Sequence, residues 1–331
     1  MVPLLVDEAV QPEIRGGAVS SPALTVIIPT HNRAQLVCRA IRSVLSQTFR
    51  DFEIIVVDDA STDDTREAVS GLADPRIRLV RREKNGGAAA SRNTGIAVAR
   101  GQFVTFLDSD DEYLPTKLER QVHVLSNAAP EVGAVECGLK IRAKERVYIS
   151  PPNLKGQSYE GFFGYERGVN VAPLLLRREV AVMLAFDELA ALEDWDFMLR
   201  LLRVRKVAFV EDPLVIIHDP MGPRLSAAPN LMRGLEQVIR KYGPQLRDRP
   251  QVLARWHRRL AFFLVKRGDV REAHAQFLRA ARLQPRSVVG WVLVATTLRG
   301  GGGFYRMHRL YAYIGRVKQR LRLMTGSTGV V

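Results

Sequence analysis

Two rhythms of apolar and polar positions divide residues 23–220. Short apolar or β-branched runs stand at 24–28, 52–57, 77–80 and 103–107, each of strand length and bounded by turn or polar residues. Between them the spacing becomes helical: Leu36, Val37, Ala40, Ile41, Val44 and Leu45 form one stripe within 33–47. A second helix is predicted from a cap at 61–64 to Leu72. A third, rich in small residues, is predicted over 88–99, between the glycine-bearing turn 84–87 and Gly101. This alternation predicts an α/β domain with a mostly parallel sheet and helices on both faces.

The pattern then loosens. A helix is predicted from Pro115 to Asn127 and a strand at 132–137, whereas 138–170 shows no period and is read as a variable acceptor-side region. Apolar runs resume at 171–176, followed by helices at 178–184 and 193–203 and short strands at 207–210 and 214–217, the last running into His218. Beyond Arg224 the strands stop. Leu260, Leu264, Gly268, Ala273, Phe277, Ala280 and Pro285 have the spacing of one tetratricopeptide-like hairpin. A repeat stack needs about three such units, so this stretch is read as a helical appendage. Four segments follow: a flexible lead-in at 1–22, a principal domain at 23–224, a helical region at 225–298 and a basic tail at 299–331.

Charge sharpens that division. The net charge is +14, but residues 220–331 hold 22 Lys and Arg against 4 Asp and Glu, so the rest of the chain is slightly acidic. A surface of this kind favours anionic partners. Within 304–324 there are six bases and no acid, with Tyr305, Leu310, Tyr311, Tyr313 and Ile314 interspersed. This reads either as a segment lying on an anionic membrane or as a solvated helix. Nucleic acid is not expected, since no recognised binding motif accompanies the charge. No apolar run reaches about 18 residues, and Asp7, Glu8 and Glu13 break the order of a signal peptide. With only Cys38 and Cys137 there is neither a disulfide framework nor a zinc site, which predicts a reducing, cytoplasmic setting.

The chemistry gathers where strands end. The stretch FVTFLDSDDEYLP (103–115) leaves its strand through Asp108, Asp110 and Asp111. In an open α/β sheet the carboxyl ends of the strands form the ligand edge. Acids this close repel unless a cation joins them, and hard oxygen donors suit Mg²⁺ or Mn²⁺. The alternative is a helix cap by Asp108 or Ser109. Asp58 and Asp59 follow the second strand, and Glu193, Asp194 and Asp196 open a helix, where the dipole alone favours acids. No GxGxxG follows the first strand, which counts against a dinucleotide-binding dehydrogenase.

Five segments in one order resemble the family 2 inverting glycosyltransferases with the GT-A fold: VIIPTHNR (26–33), VVDDASTDDT (56–65), KNGGAAASRNTGIAVARG (84–101), FLDSDD (106–111) and EDWDFMLRL (193–201). The resemblance implies that Asp59 contacts the nucleotide base, with Thr30, His31 and Asn32 lining the same pocket and Arg92 near the nucleotide. Asp108 and Asp110 match the DxD element: Asp108 would touch the ribose or sugar, and Asp110 would ligate the divalent metal, Mn²⁺ or Mg²⁺. Asp194 matches the catalytic base. His218 is a looser match, either a metal or diphosphate contact or a structural histidine. The implied partners are a nucleotide-sugar donor, with UDP favoured, and a sugar or lipid-linked acceptor; the implied setting is the inner face of the cytoplasmic membrane. A nucleotidyltransferase would share the acid pair but wants a glycine-rich basic loop after the first strand, which is missing. A non-catalytic scaffold would not require acids at every one of these strand ends.

Overall fold

A computed structural model describes residues 21–143, 146–164, 169–218 and 228–298. Its contacts fall into two units, Met1–Arg224 and Leu225–Val331. The first begins with strands and helices in strict alternation: β1 (Leu24–Thr30), α1 (Ala34–Leu45), β2 (Phe52–Asp58), α2 (Thr65–Ser70), β3 (Ile77–Arg81), α3 (Gly87–Val98) and β4 (Phe103–Phe106). Every residue of β1, β2 and β4 is buried, which is why they read as largely apolar runs, interrupted within the strands only by Thr25, Glu53 and Thr105. Pro29 is tolerated in β1 because pairing with β4 extends only to Ile27 and Phe106, so its missing N–H costs no ladder bond.

After β4 come β5 (Glu112–Tyr113), α4 (Lys117–Ser126), β6 (Val132–Ala143), β7 (Arg146–Ser150), α5 (Tyr159–Phe162), β8 (Leu174–Arg177), α6 (Arg178–Leu184), α7 (Glu193–Val204) and β9 (Lys206–His218). The strands join in one sheet of order β3-β2-β1-β4-β8-β6-β9-β5, with β7 paired to β6. Strands β3, β2, β1 and β4 are parallel. β8 runs antiparallel to both β4 and β6, while β9 returns parallel to β6. The register pairs Thr30 with Asp58 and Ile27 with Phe106, so β1, β2 and β4 all open onto one edge.

Two stretches differ from the sequence expectation. The aperiodic region contains a hairpin, β6 continuing to Ala143 and returning through β7, whose Val147, Tyr148 and Ile149 are exposed. Apolar residues on a solvent face erase the alternation that marks a half-buried strand. The two short strands beyond Lys206 are one strand, β9, which passes through Pro213 opposite Gly138 where the register shifts. A Cβ on Gly138 would come within 3.0–3.2 Å of the carbonyl oxygens of Glu211, Ser150 and Asp212, so glycine is what lets the chains approach there.

The second unit is helical: α8 (Ala228–Tyr242), a 3-10 turn (Gly243–Leu246), α9 (Pro250–Arg267), α10 (Val270–Leu283) and α11 (Val288–Leu298). The expected hairpin is α9 and α10, turned at Gly268 with a left-handed φ of 97° and packed through Leu260, Leu264, Ala273, Phe277 and Ala280. No helix of the described residues is long and apolar enough to cross a membrane. Most of the lead-in and the basic segment 304–324 lie outside the described residues.

Candidate active site

The loops after β1 and β2 are stitched to each other. His31 Nδ1 lies 2.8 Å from the Asp59 carbonyl oxygen, and the Asn32 N–H donates to Ser61 Oγ at 2.9 Å. Asn32 Oδ1 accepts from the Thr62 N–H at 2.8 Å, and the Arg33 N–H donates to Thr65 Oγ1 at 3.0 Å. Asn32 and Ala60 both adopt left-handed backbone, φ 51° and 58°. Non-glycine residues held there cost about 1–3 kcal/mol and cluster at functional sites. Thr30 Oγ1 is buried with no hydrogen-bond partner among the described residues.

Asp59 is buried under the N-terminus of α3. Its carboxylate accepts from the Gly86 and Gly87 N–H groups at 3.0 and 2.7 Å and from Arg82 at 3.0 Å. The carboxylate thus takes up N–H donors that a helix start leaves without an intrahelical partner, at the end where the dipole favours an acid.

The acid turn after β4 is spread over separate partners. Asp108 accepts from Arg92 at 2.7 Å and from Asn170 at 3.3 Å. Asp110 pairs with Arg33 at 2.8 Å, and its carbonyl oxygen accepts from Arg39. Asp111 is buried and accepts from the His218 N–H at 3.0 Å. Burial pushes the Asp111 carboxyl well above its ordinary range, and Asp108 and Asp110 push it further. The turn thus gathers three carboxyl groups within four residues, two of them paired to Arg92 and Arg33. The His218 imidazole stands beside it with Nε2 2.7 Å from Glu112 Oε1. Among the described residues no three Asp, Glu, His or Cys side chains are grouped to hold a metal ion.

Arg92, on α3, joins this turn to α7. Its side chain is only 3% exposed, and its terminal nitrogens reach Asp108 at 2.7 Å and Asp194 at 2.8 Å, with Glu193 at 3.7 Å. The guanidinium also lies over the Phe186 ring at 5.2 Å. Asn93 fixes that ring's backbone by donating to the Phe186 carbonyl at 2.8 Å and accepting from its N–H at 2.7 Å. Burial would lower the Arg92 pKa, but Asp194, Asp108 and Glu193 outweigh it and hold the pKa above its ordinary value.

Three carboxylates thus share one guanidinium, so one of them keeps a proton more easily than usual. It is Asp194, at the first turn of α7. Burial raises its pKa to about 7 against the opposing pull of Arg92, with Glu193 and Asp108 adding to the rise. Its second oxygen accepts from the Val171 N–H at 3.3 Å. The neighbouring Asp196 turns instead to Arg200, at 2.8 Å on the same helix. Trp195 and Phe197 are core: Trp195 stacks on Phe162, and Phe197 on Phe186 at 4.4 Å between centroids.

The predicted residues thus cluster along one edge: Thr30, His31, Asn32 and Asp59 at the β1 and β2 ends, Asp108 and Asp110 after β4, Arg92 and Asp194 across from Asp108, and His218 at the end of β9. The sequence reading missed Arg33, Arg39, Arg82 and Asn170. Arg33 lies inside the VIIPTHNR segment, where by position it reads as the start of a helix. Asn170 fell in the aperiodic stretch and gave no signal.

Known proteins are similar to this chain in sequence and in fold. The Glycosyl transferase family 2 model matches residues 25–165. WcaA of Escherichia coli (strain K12), a glycosyl transferase named for colanic acid biosynthesis, is 30% identical over 235 residues, 67% of this chain and 82% of its own. WfgD of Escherichia coli, a UDP-Glc:alpha-D-GlcNAc-diphosphoundecaprenol beta-1,3-glucosyltransferase, is 41% identical over 102 residues, 31% of this chain and 40% of its own. Among solved structures, S. aureus TarS 1-349 in complex with UDP-GlcNAc superposes with a TM-score of 0.61 at 17% identity, over 86% of this chain and 92% of that one. The mannosyltransferase PcManGT from Pyrobaculum calidifontis, in complex with GDP-Man and Mn²⁺, gives 0.51 at 22% identity, over 87% and 83%. The fold is that of the GT-A glycosyltransferases, and the chain belongs to glycosyl transferase family 2.

Proposed function

We propose that this chain is an inverting, divalent-metal-dependent glycosyltransferase that moves a sugar from a UDP-sugar to an acceptor hydroxyl in cell-surface polysaccharide or glycolipid synthesis. The observation that carries the reading is the Arg92 bridge, 2.7 Å to Asp108 and 2.8 Å to Asp194, which sets the acid assigned to the donor beside the one assigned to the acceptor. The nucleoside falls to the β1–β2 edge. Asp59 accepts from the base there, and Thr30 with its unpartnered hydroxyl, His31 and Asn32 complete the wall. Asp108 meets the ribose or the sugar.

The residues fit a hard divalent ion. Mg²⁺-type ions are commonly held by one or two carboxylates plus substrate phosphates rather than by a closed protein cage. Asp110, part-exposed in a turn that also holds Asp108 and Asp111, suits that mode, and His218, whose backbone N–H is bonded to Asp111 in the same turn, is the candidate nitrogen donor. When bound, the ion neutralises the leaving diphosphate.

Asp194 takes the proton from the acceptor hydroxyl as that oxygen bonds to the anomeric carbon and the bond to the diphosphate breaks on the opposite face. One such displacement inverts the anomeric centre. With a pKa of about 7, the carboxylate is a suitable base near neutral pH. Arg92 keeps it oriented and charged. The acceptor is a sugar or lipid-linked sugar, met at the inner face of the cytoplasmic membrane, with 304–324 as the membrane-facing segment.

The test is a panel of nucleotide-sugars, read first as Mn²⁺-dependent protection against thermal unfolding and then as transfer with the product's anomeric configuration. Asp110→Ala should abolish turnover and greatly weaken Mn²⁺-dependent UDP binding in a folded protein. Unchanged UDP affinity in that variant would remove Asp110 from the metal site.

A further inference from the structure

We propose that Arg33 is a diphosphate-binding cation of this site, held without donor by its ion pair to Asp110 and released when a divalent ion takes that carboxylate. The inference rests on the sugar-transfer reading above and adds to it the exchange that opens the site.

Arg33 is tied at its backbone to one loop and reaches with its side chain to another. Its backbone N–H is tied to Thr65 Oγ1 at 3.0 Å, and it follows Asn32 in the stitched β1–β2 loops. Its guanidinium crosses to the acid turn, 2.8 Å from Asp110 Oδ2 and 3.4 Å from Ser109 Oγ. The backbone thus stands with the residues assigned to the nucleoside, and the charge stands at the carboxylate assigned to the metal. A diphosphate connects those same two positions chemically, with the nucleoside on one side and the metal-bound leaving oxygens on the other.

The other arginines at this edge are committed differently. Arg81 faces Asp58 at 3.9 Å, Arg82 is held by Asp59, Arg39 by Glu112 and the Asp110 carbonyl, and Arg92 is buried among three carboxylates. Arg33 is distinguished by its partner, because Asp110 is the carboxylate a divalent ion would claim. The pair is part-exposed, with Arg33 at 30% and Asp110 at 21%, so the carboxylate is within reach of an ion from solvent. The released guanidinium offers forked donors that match phosphate oxygens. Arg33 therefore competes with the metal when no diphosphate is present and cooperates with it when one is.

That double role gives a test in which one substitution moves two binding constants in opposite directions. Mn²⁺ binding alone, and UDP binding in saturating Mn²⁺, are measured by calorimetry on the wild-type chain, Arg33→Ala and Arg33→Lys. Arg33→Ala is expected to bind Mn²⁺ alone about threefold tighter or more, and UDP about tenfold weaker or more. Arg33→Lys keeps the charge without the fork and should fall between. It carries the test if circular dichroism shows Arg33→Ala unfolded. Unchanged UDP affinity in a folded variant, or both constants weakened together, overturns the exchange. A wild-type chain that binds no UDP with Mn²⁺ overturns the donor-site reading and this inference with it, and that failure is visible before any substitution is made.

Discussion

At the residue scale the site turns on a charge imbalance around Arg92. One guanidinium faces Asp108, Glu193 and Asp194, and the most deeply placed of the three, Asp194, has its pKa raised to about 7. A base must be ionised to act, so the rate should rise with pH through about 7 and flatten above it. Asp194→Asn should keep donor binding, lower kcat by roughly 10²–10⁴-fold and lose that acidic limb; near-normal turnover would remove Asp194 from the chemistry. Arg92 opposes the rise in the Asp194 pKa, so Arg92→Met should shift the limb of any residual activity to higher pH. The same change strands buried carboxylates and should cost about 3–5 kcal/mol in urea unfolding. A loss below about 1 kcal/mol would mean that the bridge is not the anchor described. The acids were legible in the sequence because each follows a strand or opens a helix. Arg33 and Asn170 were not, because their roles depend on side chains reaching residues 76 and 62 positions away in the chain.

At the element scale the bridge depends on where α3 lies. A Cβ on Gly95 would meet Ile27 Cγ2 at 2.4 Å, so glycine lets α3 approach the buried strand β1 closely. Arg92 is one turn earlier on the same helix. Gly95→Ala should push α3 away from β1, costing about 1–3 kcal/mol as an overpacked core substitution. It should also lower kcat by moving Arg92 relative to Asp108. Full stability and full turnover together would show that the contact is slack. Such packing was only partly legible: the small residues at 88–99 marked a helix, but not its close approach to β1. The buried parallel strands were legible for the opposite reason, since apolar residues fill most positions on both faces and no face needs choosing. β5 is two residues long, and β7 carries its apolar side chains outward. Neither presents the period by which a strand is read.

At the scale of the whole molecule the charge is partitioned more sharply than the fold. Residues 228–298 carry 14 Lys and Arg against 4 Asp and Glu, and 304–324 adds six bases with no acid. Within the described part, α11 has no charged residue and exposes Val288, Trp291, Val292 and Leu298. Basic charge beside exposed apolar groups suits an anionic membrane surface, where each Lys or Arg is worth on the order of 1 kcal/mol, enough jointly for reversible attachment. Attachment would hold the enzyme where a lipid-linked acceptor is found. The expected outcome is co-sedimentation with phosphatidylglycerol vesicles at low salt, falling at high salt as the charges are screened. Replacing Arg306, Arg309, Arg316, Lys318, Arg320 and Arg322 by glutamine in the full chain should lower the bound fraction severalfold. If the substituted and native chains sediment equally, 304–324 is not the membrane contact, and any remaining salt-sensitive binding belongs to other basic residues. If neither sediments at low salt, the basic charge serves another partner and the membrane reading falls.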